Sequence, residues 1–264
     1  MDERPIAPAL KVLAGLMFLF LLAPLIVVVP ISFSGDRYMM FPPSSWSTRW
    51  YGAIFADGRM VGAFWTSLAL AAVVTVLSLA IGLPAAYALV RLKPRGAELL
   101  GSLFTAPLLL PTIVLGLAIL IVFARFGLLA TFPGLVAAHL VVTLPYALRV
   151  LSTALSTLPI AVEEAAATLG APPLTVFRRV TLPMMRSGLI GTAALCFLVS
   201  FDEVVLSLFM TGPRIATLPV AMYHRVEQQA DPLVASLSVL LVVLTLAVVL
   251  VVDRSAGLAK TFVK

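Results

Sequence analysis

The sequence predicts an all-α integral membrane protein with six transmembrane helices and a polar helical loop between spans four and five. Three observations predict it. Of 264 residues, 61% are hydrophobic and mean hydropathy is +1.11, against roughly 45–50% apolar residues in soluble domains. The apolar residues gather into runs of roughly 20, the length that crosses a hydrocarbon core at about 1.5 Å per residue. Only 11% of residues are charged, and they fall mainly between the runs.

Span one is expected over 12–33. Arg4 and Lys11 precede a run too long for a cleaved leader, so it reads as a retained signal-anchor helix, kinked at Pro24 and Pro30. Residues 34–60 read as a polar loop with a short interfacial helix. Trp46, Trp50 and Tyr51 suit the headgroup level. Span two is expected over 61–90 and ends in the basic turn Arg91-Leu92-Lys93-Pro94-Arg95. Span three is expected over 99–123 with Pro107 and Pro111 inside it, and span four over 135–155. Span five is expected over 187–209 and span six over 233–252. The chain thus divides into 1–60, a signal-anchor helix with an outer loop; 61–255, the transmembrane core; and 256–264, a basic tail. No internal repeat or low-complexity tract stands out.

Charge sets the orientation. Arg4, Lys11, Arg91, Lys93, Arg95, Arg149, Arg178, Arg179, Arg186, Arg254, Lys260 and Lys264 lie on one side. Arg37, Arg49, Arg59, Arg125, Arg214 and Arg225 lie on the other, which accounts for all 18 basic residues. The richer side is expected to be cytoplasmic, with both termini there. The same bias explains the net charge of +6 without nucleic acid as a partner.

Several chemistries find no support. Cys196 is the single cysteine, so neither an internal disulfide nor a thiolate metal cluster is available, and a buried packing role is expected. His139 and His224 are far apart; His139 is expected in the interior. No His-Glu-x-x-His, Gly-x-Ser-x-Gly, phosphate-binding Gly-x-x-x-x-Gly-Lys-Ser/Thr or Gly-x-Gly-x-x-Gly motif occurs. No catalytic residue, metal ligand or cofactor is expected on this chain.

The loop from Thr157 to Pro183 is the informative stretch. Ser156 and Thr157 followed by Pro159 read as a helix start. Glu163 and Glu164 then occupy a short Ala-rich helix, Gly170 supplies a left-handed stop, and Pro172-Pro173 opens a second helix. Leu174, Phe177 and Val180 share a face at spacing three, Arg178 and Arg179 flank it, and Pro183 ends the element. Residues alone leave two readings open: a helix lying on lipid, or a knob that fits a groove on a soluble partner.

A second feature is Asp202-Glu203, an adjacent acidic pair inside expected span five. Asp202 would lie roughly 22 Å along a continuous helix from Ser187. A carboxylate there is costly unless a cavity, a cation or the interface receives it. The two side chains point about 100° apart on a helix, so one can line a path while the other caps or seals. Tyr146 and Phe201 can add cation–π contact, and Pro111 can break span three and free carbonyls. These five are the candidate path residues.

Glu164-Ala165-Ala166, Gly170, Val180 and Leu182-Pro183 stand at the spacings of the cytoplasmic signature of ABC importer permeases, with Val in place of Ile. The chain therefore resembles that family. Trp65-Thr66-Ser67-Leu68 resembles the start of the family's core. Leu144-Pro145-Tyr146, Ser200-Phe201-Asp202-Glu203, Thr211-Gly212-Pro213 and Thr217-Leu218-Pro219 resemble the spermidine/putrescine permease branch. The resemblance covers about residues 61–255 and implies the type I importer permease fold. It implies that 157–183 is a coupling helix region docking on a cytoplasmic ATPase, through Glu163, Glu164, Ala165, Gly170, Leu174, Phe177, Arg178, Leu182 and Pro183. It further implies a second permease, arranged as a heterodimer, two ATPase subunits that hold ATP and Mg, a periplasmic solute-binding protein, and residence in a bacterial inner membrane. A small cationic solute of polyamine type is expected. The alternatives are another solute of the same branch (amino acid, phosphonate, thiamine or iron) and an ion-driven secondary transporter.

Overall fold

A computed structural model describes residues 8–256. The basic residues Arg4, Lys260 and Lys264, and the expected tail beyond Ala256, lie outside the described residues. All regular structure there is helical, apart from the isolated bridges Ser34–Trp46 and Gly212–Ile215. In chain order the α-helices are α1 Pro8–Ser32, α2 Arg49–Ala56, α3 Gly58–Tyr87, α4 Ala97–Thr105, α5 Thr112–Arg125, α6 Phe132–Ser156 and α7 Ile160–Thr168. They continue as α8 Pro173–Val176, α9 Leu182–Met184, α10 Arg186–Phe201, α11 Val205–Met210, α12 Leu218–Gln228 and α13 Pro232–Ala256. π-helical turns follow α3 (Ala88–Leu92) and α8 (Phe177–Thr181), and a 3₁₀ turn follows α4 (Ala106–Leu109).

Among the described residues, four helices are long and apolar enough to span a membrane, and the number is six if each of two bent helix pairs is one span. The expected count of six holds with that qualification, and two expected spans change shape. Span three is not one helix: residues 97–109 and 112–125 meet at 102°. Proline is the cause. Leu110 is held extended (ψ 139°) before Pro111, which caps α5 instead of continuing α4. Span five does not run to Phe209. It stops at Phe201, and α11 starts after a gap. Glu203 accepts a hydrogen bond from the amide of Leu206 (3.0 Å), so its carboxylate starts a new helix there.

The described residues pack as two compact units, 8–61 with 222–246, and 62–221 with 247–256. In the first, Arg225 pairs with both Asp57 (2.8 Å) and Asp231 (2.6 Å), and the Ser236 hydroxyl donates to the Ser32 carbonyl. Asp36 organises the loop after α1: its carboxylate accepts from the Ser44 hydroxyl and amide and from the Ser34 hydroxyl.

The second unit has two apolar cores. Leu70, Val74, Ile119, Leu135, Ala138, Leu206 and Met210 form one; Ala86, Ala147, Leu148, Leu151, Leu155, Met185 and Cys196 form the other. Small residues bring helices close, as in membrane packing generally. A Cβ on Gly82 would stand 3.2 Å from that of Ala147, and one on Gly188 would stand 2.6 Å from that of Ala154. Cys196 is fully buried, as expected. His139 is buried too, and it bridges: Nδ1 is 3.0 Å from Ser200 Oγ and Nε2 is 3.0 Å from Ser207 Oγ. One ring thus ties the end of α10 to α11 across the gap that holds Asp202 and Glu203.

Candidate functional site

The 157–183 loop folds as an elbow of two short helices. Its start differs from expectation. Ser156 and Thr157 do not cap α7; their hydroxyls donate back to the carbonyls of Thr153 and Ala154, and Pro159 takes the cap position. The corner is as expected. Gly170 sits at φ +85°, its amide donates to Ala167 O (2.9 Å), and the Ala171 amide donates to Ala166 O (3.2 Å). Those two bonds form a left-handed helix stop that satisfies the last carbonyls. Pro172 then caps α8 with Pro173 in its first turn.

The second arm also departs from its expected face. Val176 is the buried residue, and Phe177 is half-buried with its ring edge-on to Tyr87 at 5.1 Å. The chain widens into the π turn here, with the Leu182 amide donating to Phe177 O. Pro183 follows and offers no amide of its own; it lies inside α9, and the turn comes at Met185. Leu174 remains 64% exposed, and Leu169, at the corner, is 88% exposed. Arg178, Arg179, Ala165 and Pro183 are exposed, while Leu182 is half-buried.

The two glutamates separate. Glu164 is exposed. Glu163 turns inward, its side chain 12% accessible, against Arg91 at 9%. Arg91 Nε donates to Glu163 Oε2 (3.0 Å) and Nη2 to Oε1 (3.2 Å), a two-point charge-assisted contact. The Thr181 hydroxyl also donates to Oε1 (3.0 Å), and Arg91 Nη2 reaches the Leu158 carbonyl (3.3 Å). Sequence reasoning missed Arg91, Thr181, Tyr87 and Leu169. Arg91 stood out only as one charge in a basic turn, and no local spacing links it to a partner 72 residues on.

The second acidic pair follows the C-terminal end of α10, a 16-residue helix that rises roughly 24 Å. Asp202 is exposed at the helix terminus, and Glu203 is half-buried, accepting from the Leu206 amide. Phe201 stacks on Phe197 (5.7 Å) and meets Phe64 edge-on (6.3 Å). Tyr146 is half-buried midway along α6, and Pro111 is exposed at the α4–α5 bend. Among the described residues, no group of three or more His, Cys, Asp or Glu side chains is placed to hold a metal.

Bent and broken spans, an exposed carboxylate at one break and an elbow with exposed charged and apolar side chains describe a class of helical membrane-spanning protein. The chain belongs to the family of binding-protein-dependent transport system inner membrane components, whose model matches residues 78–261. It is 34% identical over 250 residues to the putrescine transport system permease protein PotI of Escherichia coli K12, covering 91% of this chain and 89% of that one. It is 28% identical over 237 residues to the spermidine/putrescine transport system permease protein PotC of the same organism, covering 89% and 88%. In fold it is similar to a chain of the crystal structure of a bacterial ABC transporter involved in the import of the acidic polysaccharide alginate. The TM-score is 0.69 at 18% identity, over 93% of this chain and 94% of that one. The protein is therefore a permease subunit of an ABC importer, with the type I permease fold.

Proposed function

We propose that this permease forms the path for a small cationic solute of the polyamine class and is driven by ATPase subunits docking on its 157–183 elbow. The observation that carries the coupling half is the sorting of the elbow's side chains. Glu163, Val176 and Phe177 are engaged by the chain itself, while Glu164, Leu169, Leu174 and Arg178 are left outward. Two exposed leucines among charges match an anchor-in-groove contact. The excess of basic residues on that side supports a cytoplasmic elbow with both termini in the cytoplasm.

ATP and Mg would be held by the partner ATPases; this sequence has no phosphate-binding loop of its own. The assembly is a heterodimer with a second permease, two ATPases and a periplasmic solute-binding protein in a bacterial inner membrane. The solute class rests on the putrescine and spermidine relatives and on Asp202, an exposed carboxylate at the outer break. Glu203 and Phe201 sit at that break, while Tyr146 on α6 and Pro111 at the α4–α5 bend are further candidates for lining the path. The 61–255 segment acts as the transport core, with 1–60 as anchor helix and outer loop and 256–264 as tail.

The test is uptake into vesicles carrying the assembled transporter. ATP-dependent accumulation of labelled putrescine or spermidine, reduced several-fold by Asp202→Asn, is expected. Accumulation of labelled amino acids in place of polyamines would contradict the solute class, and uptake without ATP would contradict the coupling.

A further inference from the structure

The elbow's inward side holds an arrangement that docking does not explain. The second unit contains two π-helical turns, Ala88–Leu92 at the end of α3 and Phe177–Thr181 in the elbow. π turns are uncommon and mark places where a helix has absorbed an extra residue, frequently at functional sites. These two are fastened to each other twice. At their leading ends Tyr87 and Phe177 meet edge to face, 5.1 Å apart. At their far ends Arg91 from one turn and Thr181 from the other converge on a single carboxylate oxygen, Glu163 Oε1, at 3.2 and 3.0 Å. Glu163 belongs to neither turn; it lies on α7.

The chemistry of this junction makes it stiff. Arg91 spends Nε and Nη2 on both carboxylate oxygens and shares Nη2 with the Leu158 carbonyl. Both charged side chains are largely withdrawn from water. Separating them would strand a buried charge, which is far more costly than parting an exposed pair. A push on the elbow therefore meets little slack at this point. The arm that receives the push is α3. Its buried face runs through both apolar cores, with Leu70 and Val74 in one and Ala86 in the other. Between them the Ser78 hydroxyl meets that of Thr143 on α6, 2.8 Å away.

We infer that Arg91 is a positioning residue for transport: with Glu163 and Thr181 it forms a strut that carries movement of the elbow into α3. The two π turns, which carry Arg91 and Thr181, are the strut's end fittings, able to change helical register while the ion pair stays closed. This inference rests on the reading of the elbow as the ATPase-coupling element. It divides labour within that element: the outward side receives the partner, and the inward side passes the displacement on.

The experiment uses the whole transporter, purified through a tag on this chain from its own host and reconstituted into vesicles. ATPase retention, ATP hydrolysis and labelled putrescine uptake are read together. Arg91→Gln is expected to keep the ATPase subunits bound and hydrolysis within about two-fold, while putrescine moved per ATP falls about ten-fold, the scale of a lost inter-site coupling. Arg91→Lys keeps the charge but loses the fork and is expected to fall between. The exchange Arg91→Glu with Glu163→Arg is expected to recover most of the ratio that either single change loses. Thr181→Val, a milder change, is expected to lower it about two-fold. If Arg91→Gln fails to accumulate, the Lys variant, the exchange and T181V decide the matter.

An unchanged ratio in those variants would overturn the strut, as would an exchange that restores yield but not the ratio. So would loss of the ATPase subunits in Arg91→Gln, since the pair would then only shape the docking surface. Wild-type protein that retains no ATPase or shows no ATP-driven uptake would instead sink the coupling reading, and the strut with it.

Discussion

Two adjacent acidic pairs, one on α7 in the elbow and one just after α10, are each divided the same way. Glu163 is held and Glu164 is free; Glu203 is held and Asp202 is free. The difference lies in what holds them. Glu203 is satisfied by a backbone amide three residues on, so its bond survives any motion that keeps the start of α11 intact. Glu163 is satisfied by a guanidinium 72 residues away and a hydroxyl 18 residues on, so its bonds report the relative placement of three elements. A held carboxylate at the break after α10 thus shapes one turn locally, whereas a held carboxylate at the elbow senses tertiary position. The free member of each pair is left to face something outside the chain.

The largest expected effect breaks the distant contact. Glu163→Ala leaves Arg91 largely buried without its partner and should cost roughly 3–5 kcal/mol, read as a lowered unfolding midpoint in detergent. A midpoint within error of wild type would place Glu163 with the local holders. Next is Gly170→Ala. No atom lies within 4 Å of the added Cβ, so the cost is the left-handed backbone alone, about 1–2 kcal/mol. It should appear as faster amide exchange at Ala171, and unchanged exchange there would argue against the corner.

Smaller again is Glu203→Ala, which removes one helix-start bond worth about 1 kcal/mol. Its exchange signature should stay within 205–210. Spread of the effect into α6 or α10 would erase the local-versus-distant contrast.

Asp36 offers a third, half-buried carboxylate for calibration. The Ser44 hydroxyl, then the Ser44 amide and the Ser34 hydroxyl, hold its pKa below the ordinary aspartate value. Because that pKa is lowered on folding, its contribution to loop order is present above about pH 4 and is lost as pH falls through the lower native value. Protection of the Ser44 amide should fade over that acid range, and Asp36→Asn should abolish the fading. Protection that is independent of pH in wild type would contradict it. The smallest expected stability effect is Glu164→Ala, under about 0.5 kcal/mol as for other exposed positions.

Much of this was legible in the sequence. The apolar runs gave the spans, and Gly170 with Pro172-Pro173 gave the elbow, because both signals are local. Pro111 reads in the sequence as a helix breaker, but the bend of 102° depends on the extended conformation that Leu110 adopts before it. The break after Phe201 carries no proline or glycine; it comes from an acidic side chain competing for an amide. The Arg91–Glu163 pair was out of reach because nothing in either neighbourhood names the other. Which of Glu163 and Glu164 faces inward depends on about 100° of helical phase, fixed only once α3 is in place.

The most direct test of the account is a paired measurement on Glu163→Gln and Glu164→Gln, recording the unfolding midpoint and the amount of ATPase retained by the tagged permease. A double dissociation is expected. Glu163→Gln lowers the midpoint and keeps the ATPase, whereas Glu164→Gln keeps the midpoint and loses ATPase. The reverse pattern, or two variants that behave alike, would contradict the division of the elbow into a held side and an offered side.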